Sequence, residues 1–251
     1  MSSEAEANKE TNRETGKKDG KENTPVRKIR SFVLRAGRMS AAQKRSYELL
    51  FPVYGLESRG REANAIESTR LFGRAAPLVV EIGFGMGKAT AVIAERNPEI
   101  NYLGIEVHRP GIGRLLWEIE KRGLTNIRII EGDAVEFLEK SIKDESVHAF
   151  HIFFPDPWPK KRHNKRRLIT RPFTDLLAAK LLPGAYLYMA SDWADYGNWA
   201  LSELSATPGL SNKYDTFAEP QSWRPRTEFE QKGIIKKHDI CELFFIKDTR
   251  D

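Results

Sequence analysis

The sequence predicts an α/β domain built on an open, mostly parallel sheet, and three observations carry that reading. Residues 78–82, Leu-Val-Val-Glu-Ile, form a short β-branched run that ends in Gly83-Phe84-Gly85-Met86-Gly87 and continues from Lys88 with helical character. Strand, glycine loop and helix in that order open a βαβ unit. Two further strand-like runs, over 101–105 and 126–130, finish beside acidic residues at Glu106 and Asp133. The run Ala149-Phe150-His151-Ile152-Phe153-Phe154 is nearly all apolar, as a central parallel strand buried on both faces should be.

The composition agrees with one such domain. With 251 residues, of which 40% are hydrophobic and 30% charged, the chain supports one sizeable core and a wet surface. No apolar run approaches the roughly 20 residues that span a bilayer, and Met1-Ser2-Ser3-Glu4-Ala5-Glu6 lacks the apolar stretch of a secretory signal. A cytoplasmic location without a membrane partner is therefore expected. The single cysteine, Cys241, rules out an intrachain disulfide, a four-thiolate zinc site and a three-cysteine iron–sulfur cluster. It lies in an apolar strand-like run and reads as core packing, and no metal is expected. The net charge of +6 says little by itself. Its distribution says more.

Residues 1–28 are mostly a polar mixture of both charge signs, unable to bury enough surface to offset chain entropy, and are expected to form a disordered tail. The domain is placed at 29–251. Its first part, about 29–50, is an arm in which arginines alternate with apolar residues around Gly37, suited either to solvent or to packing while offering guanidinium groups to phosphates. Ser40 suits the N-cap of a short helix over 40–50.

The glycine loop after 78–82 gives the backbone room to turn and to approach a ligand closely. A phosphate-cradling P-loop fails here: counting back from Gly87-Lys88 lands on Ile82, and Ala89 follows the lysine. The dinucleotide fingerprint fits poorly, because the third glycine comes one residue early. Gly83, Gly85 and Gly87, with Glu81 two residues before the first, instead resemble the first motif of class I S-adenosylmethionine (AdoMet) methyltransferases. Glu106, 25 residues after Glu81, suits both hydroxyls of a ribose, and Asp133 suits an adenine amino group. Either carboxylate could instead cap the helix that follows. Three acidic residues at successive strand ends favour a nucleoside-containing cofactor.

The strand over 149–154 delivers Pro155-Asp156-Pro157-Trp158, so Asp156 arrives in the crevice outside the carboxyl ends of the strands. Prolines on both sides stiffen it. Immediately afterwards comes a cationic run, Lys160-Lys161-Arg162-His163-Asn164-Lys165-Arg166-Arg167. Beside a candidate active-site loop, such a run suits nucleic-acid phosphates better than a plain solvated face or a transport signal. A fifth strand over 186–189 leads to Ser191-Asp192, where Asp192 either faces the same crevice or caps a helix from Trp193 onward.

Residues 153–167, together with Glu81 to Gly87, the arm segments Arg30-Ser31-Phe32-Val33-Leu34-Arg35 and Gly37-Arg38-Met39, and Thr227-Glu228-Phe229-Glu230, resemble the TrmB family of tRNA (guanine-N7) methyltransferases. The resemblance covers about residues 30–245. It implies a class I AdoMet-dependent methyltransferase fold, Rossmann-like, with a seven-stranded mostly parallel sheet closed by an antiparallel hairpin over 240–246. It also implies AdoMet as cofactor and tRNA as partner, with methyl transfer to N7 of a guanosine at position 46 of the variable loop. Monomer and homodimer stay open. On this sequence Glu81, Gly83, Glu106 and Asp133 would bind AdoMet, with Gly85 and Gly87 completing the loop. Asp156 would be the active-site carboxylate. Lys160, Asp192, Thr227, Glu228, Phe229 and Glu230 would contact the guanosine nucleotide, and Arg162, His163, Asn164, Lys165, Arg166 and Arg167 would lie in the RNA-binding stretch.

The chemistry is consistent with those residue types. Guanine N7 carries a lone pair and no proton, so its attack on a sulfonium methyl needs alignment and charge stabilisation but no general base. Positive charge then appears on the purine, where a fixed carboxylate such as Asp156 stabilises the transition state more than the ground state. Asp156 could alternatively hold the guanine through its N1 and amino hydrogens. Phe229 would stack on the base and Glu230 would accept from its Watson–Crick edge. Other base methyltransferases fit less well: the Asp/Asn-Pro-Pro-aromatic loop of amino-group enzymes appears here as Pro-Asp-Pro-Trp, and Cys241 follows isoleucine rather than the proline of cytosine C5 enzymes. The rival from another class is a non-catalytic RNA-binding protein, which would hold RNA without affinity for AdoMet.

Overall fold

The computed structural model describes residues 29–33, 37–57, 66–227, 230, 231, 235 and 239–249. The expected tail over 1–28 lies outside the described residues, as do Glu228 and Phe229. The elements run α1 (Ala41–Tyr54), β1 (Gly55–Glu57), α2 (Ser68–Phe72), β2 (Leu78–Ile82), α3 (Lys88–Arg96), β3 (Asn101–Glu106), α4 (Arg109–Arg122), β4 (Ile127–Glu131), α5 (Ala134–Ser141) and β5 (Val147–Phe153). A 3₁₀ turn (Lys161–Arg166) follows, then α6 (Arg171–Lys180), β6 (Leu181–Ser191), α7 (Ala194–Ser205), β7 (Leu210–Asn212) and β8 (Cys241–Lys247).

Among the described residues the sheet has eight strands in the order β1-β4-β3-β2-β5-β6-β8-β7. Strand β8 pairs antiparallel with both β6 and β7, and the remaining pairings are parallel. The seven expected strands are joined by β1, three residues that pair with β4 at one edge and are too short to show a periodicity. The last strand pairs antiparallel as expected, but it lies inside β7 rather than at the sheet edge. Strand order reverses between β2 and β5, which places the crevice of an open α/β sheet beyond their carboxyl ends.

Alternate residues of each central strand feed two apolar layers, as a pleated sheet covered on both faces requires. Val80, Ile82, Leu103, Ile105, Phe150, Ile152, Leu187 and Met189 belong to one layer. Val79, Tyr102, Ala149, Phe153, Tyr188 and Ala190 belong to the other. Helix α1 joins the second layer through Tyr47, Leu50, Phe51 and Tyr54. Its N-terminus is fixed by a capping box: Ser40 Oγ accepts from Gln43 N–H at 3.2 Å, and Gln43 Oε1 accepts from Ser40 N–H at 2.7 Å. The helix runs four residues past the expected end at Leu50, with Pro52 near its end. Gln43 also donates to the Pro110 carbonyl at 3.1 Å, fastening the arm to α4.

The three loop glycines all sit in the left-handed region, at φ values of 75° for Gly83, 57° for Gly85 and 67° for Gly87. Helix α4 starts hard against this loop, so that a methyl group on Gly111 would overlap the Gly85 carbonyl oxygen. Gly111→Ala is therefore expected to destabilise the fold by about 1–3 kcal/mol through overpacking. Urea unfolding measures this, and an unchanged midpoint would mean that α4 can back away freely.

Candidate active site

Five chain segments converge at the carboxyl ends of β2 to β5 around a cavity of about 650 Å³, within the usual range for small-ligand sites. The glycine loop contributes Gly83 and Gly85, the end of β3 contributes Glu106 and His108, and the end of β4 contributes Gly132 and Asp133. Residues 154–159 form the facing wall, including Asp156, and residues 31–33 of the arm close one side. The sequence-predicted carboxylates at 106, 133 and 156 are thus brought to one cavity.

Each carboxylate is held differently. Glu106 is buried and accepts three backbone N–H groups: Gly85 on Oε2 at 2.8 Å, with Val107 and His108 on Oε1 at 2.7 and 3.0 Å. Burial still raises its pKa above the ordinary range against those bonds. Asp133 caps α5 by accepting from Val135 N–H at 3.0 Å through Oδ1. The capping alternative and the cavity position therefore coexist in one side chain. Glu81 is buried beneath the loop, which raises its pKa from 4.5 to about 8; the Thr90 side chain opposes the shift and the Glu106 charge adds to it.

The wall carrying Asp156 is a strained bend. Phe154 and Trp158 adopt φ values of 52° and 46°, in a region that non-glycine residues rarely enter. Three bonds from distant segments hold it. Phe154 N–H donates to the Ala190 carbonyl of β6 at 2.8 Å, Trp158 Nε1–H to the Ser31 carbonyl of the arm at 2.9 Å, and Arg167 Nε–H to the Pro157 carbonyl at 3.0 Å. Asp156 itself is exposed to the cavity side between the two prolines.

Two expected contacts are corrected by their burial. Arg167, placed with the RNA-binding stretch, is 3% exposed; it pairs with Asp195 and lies 5.2 Å from the ring centroids of both Tyr196 and Trp199. It staples α7 to the bend rather than facing phosphates. Glu230, expected at the base edge, is 6% exposed, and both its oxygens are bound by Arg224 at 2.6 and 3.1 Å. The remaining cations do face outward: Lys160, Arg162 and Lys165 are exposed around the 3₁₀ turn, and Arg166 lies 4.8 Å above the Trp158 ring. Lys160 and Asp192 stand outside the cavity lining, Asp192 directly after the end of β6. Among the described residues no group of three or more His, Cys, Asp or Glu side chains is arranged to hold a metal ion, and no helix is long and apolar enough to cross a membrane.

A family model described as "Putative methyltransferase" matches residues 75–243. A tRNA (guanine-N(7)-)-methyltransferase from Nitrosospira multiformis is 47% identical over 226 residues, covering 90% of this chain and 97% of its own length. Another from Alkalilimnicola ehrlichii is 49% identical over 225 residues, covering 89% and 94%. This chain belongs to the tRNA (guanine-N7-)-methyltransferase family. Among solved structures, the 16S rRNA methyltransferase KamB superposes with a TM-score of 0.55 at 14% identity, over 78% of this chain and 99% of its own. An antibiotic-related methyltransferase gives 0.51 at 15% identity, over 75% and 98%. These two show the class I AdoMet methyltransferase fold shared across low identity.

Some features of this methyltransferase site escaped the sequence reading. Thr227 and Glu230 form a reciprocal capping box, with Thr227 Oγ1 accepting from Glu230 N–H at 3.1 Å and Glu230 Oε2 accepting from Thr227 N–H at 3.3 Å. The Thr-x-x-Glu spacing is the signal that announces it. The arm wall and the left-handed residues of the bend have no comparable local signature.

The buried proton on Glu81 has a measurable consequence. The folded state binds it more tightly than the unfolded chain, so stability is fully present below about pH 4.5 and falls as pH rises toward about 8. Glu81→Gln should flatten that portion of the stability profile in urea unfolding across the window. An unaltered slope would assign the pH dependence elsewhere.

Proposed function

We propose that this chain carries out its family's reaction, transfer of the AdoMet methyl group to N7 of a guanosine in tRNA, with the cavity beyond β2 to β5 as the place of transfer. The observation that carries the residue assignment is the convergence of Asp156 with Gly83, Gly85, Glu106 and Asp133 on one cavity. The residues suit AdoMet: a left-handed glycine loop offers close backbone approach, and the buried Glu106 together with Asp133 offers acceptors at two adjacent strand ends. When bound, AdoMet supplies an electrophilic methyl group on a sulfonium centre.

The chain's own groups do the rest. Glu106 accepts from ribose hydroxyls with the lone pairs its backbone bonds leave, and Asp133 accepts from the adenine amino group through the oxygen not committed to the α5 cap. Asp156 stands opposite them and meets the guanine. Held rigid by the bend, it stabilises positive charge developing on the purine without reorganising, or orients the base through its N1 and amino hydrogens. Thr227, Lys160 and Asp192 bound the guanosine side, with Glu230 shaping the turn that presents Thr227. Lys160, Arg162, His163, Asn164, Lys165 and Arg166 meet tRNA phosphates, and Arg30 and Arg38 of the arm extend the cationic surface.

Incubation with labelled AdoMet and unmodified tRNA, followed by nucleoside analysis, should yield 7-methylguanosine; label on another atom or no label would reject the reading. Asp156→Ala should keep AdoMet affinity within a few-fold and lower methyl transfer by about 100-fold or more. Wild-type turnover in that variant would remove Asp156 from the reaction. Neutralising Arg162, Lys165 and Arg166 together should make the salt slope of tRNA binding shallower by about 1 for each phosphate no longer neutralised. Arg167→Ala, by contrast, should lower stability and leave that slope nearly unchanged.

A further inference from the structure

Apart from the cavity, one buried polar cluster joins four segments of the chain. Arg224 forks onto Glu230, donates through Nη2 to Glu242 of β8, and lies with Nε 3.3 Å from the Tyr188 hydroxyl of β6. Tyr188 donates to the other oxygen of Glu242. The exposures are 8% for Arg224, 6% for Glu230, 2% for Glu242 and 0% for Tyr188. None of the four lines the cavity. The Arg224 guanidinium also lies 5.8 Å from the centroid of the Phe154 ring, at the left-handed residue that begins the Asp156 bend.

Such a cluster is an expensive way to fill a core. Burying two carboxylates and a guanidinium costs desolvation that well-packed apolar residues would avoid, so stability is a weak reason for it. Burial opposes the Arg224 cation, and the carboxylates of Glu230 and Glu242 reverse the effect and hold it charged. What the fork does provide is a fixed distance and angle, because a planar guanidinium meets a carboxylate in two parallel bonds. Glu230 passes that orientation to Thr227 through the capping box.

We propose that Arg224 is a positioning residue for methyl transfer, holding Thr227 in register with the Asp156 bend by gripping Glu230 and covering Phe154. The inference rests on the reading that Thr227 and Asp156 meet the guanosine. It extends that reading by naming a side chain that touches neither substrate nor cofactor, yet sets the spacing between the two residues that do.

The test uses the full chain with AdoMet and unmodified tRNA, in a double-mutant cycle of Arg224→Lys and Thr227→Ala. Lysine keeps the charge and loses the fork. Arg224→Lys should unfold cooperatively and bind AdoMet within about twofold of wild type, while kcat/KM for tRNA falls about 100-fold, the scale of a misplaced reacting group. The double variant should fall little further than the worse single variant, since both act through one segment. A merely structural Arg224 would lower AdoMet binding and kcat/KM in equal proportion and multiply with Thr227→Ala. That result, or an Arg224→Lys activity within about threefold of wild type, would overturn the inference. Should Arg224→Lys not fold, Glu230→Gln, which keeps shape and capping while weakening the fork, takes its place with the same expected pattern. Absence of 7-methylguanosine from the wild-type reaction, or full activity in Thr227→Ala, would instead sink the underlying reading, and the proposed route through Glu230 and Thr227 with it.

Discussion

The bend from Phe154 to Trp158 is where the rest of the site is decided. Two non-glycine residues in the left-handed region cost of order 1–3 kcal/mol each and persist only where the surroundings over-determine them. Here those surroundings come from β6 through Ala190, from the arm through Ser31, and from the segment after the cationic turn through Arg167. Arg167 is itself held by α7 through Asp195 and two aromatic rings. The bend that carries Asp156 is thus placed by segments as far as 127 residues away in the chain, the separation of Trp158 from Ser31. The prolines narrow its options, but tertiary bonds choose among them.

The cavity behind that bend gathers carboxylates. Glu106, Asp133 and Asp156 line one cavity, and Glu81 is buried beneath the glycine loop. Holding Glu81 protonated up to about pH 8 removes one charge from a crowded region, while three backbone bonds favour the charged form of Glu106 against the burial that raises its pKa. A cavity of this kind favours a ligand with cationic centres over a neutral or anionic one. That preference agrees with a sulfonium donor and with a purine that becomes positive during transfer.

Strand ends were legible because their signals are local. A β-branched or apolar run followed by glycine or an acidic residue announces itself within ten residues, and four of the five central parallel strands appear at or within two residues of their expected places, while β6 begins five residues before the expected start at Tyr186. Strand β1 was not legible, since three residues beside β4 have no period to detect. Arg167 and Glu230 were misread for a different reason. Their partners, Asp195 and Tyr196 in one case and Glu242 and Tyr188 with Arg224 in the other, are brought to them only by the fold. A charge run looks uniform in sequence, whereas burial splits it into an anchor and a surface.

That split changes what the cationic turn is. Arg167 fixes its far end to α7, and Trp158 fixes its near end, with Arg166 stacked on the indole at 4.8 Å and His163 meeting the ring edge at 5.9 Å between centroids. Exposed lysines and arginines on a loose loop would attract phosphate without locating it. On a turn tied at both ends to the bend, the same charges stand at a set position relative to Asp156. In the proposed reaction, phosphate contacts to such a turn would also limit where a base enters the cavity. With the arm covering one side of that cavity and the Arg224 cluster bracing the turn at Thr227, Asp156 and the outward-facing charges become parts of one rigid frame.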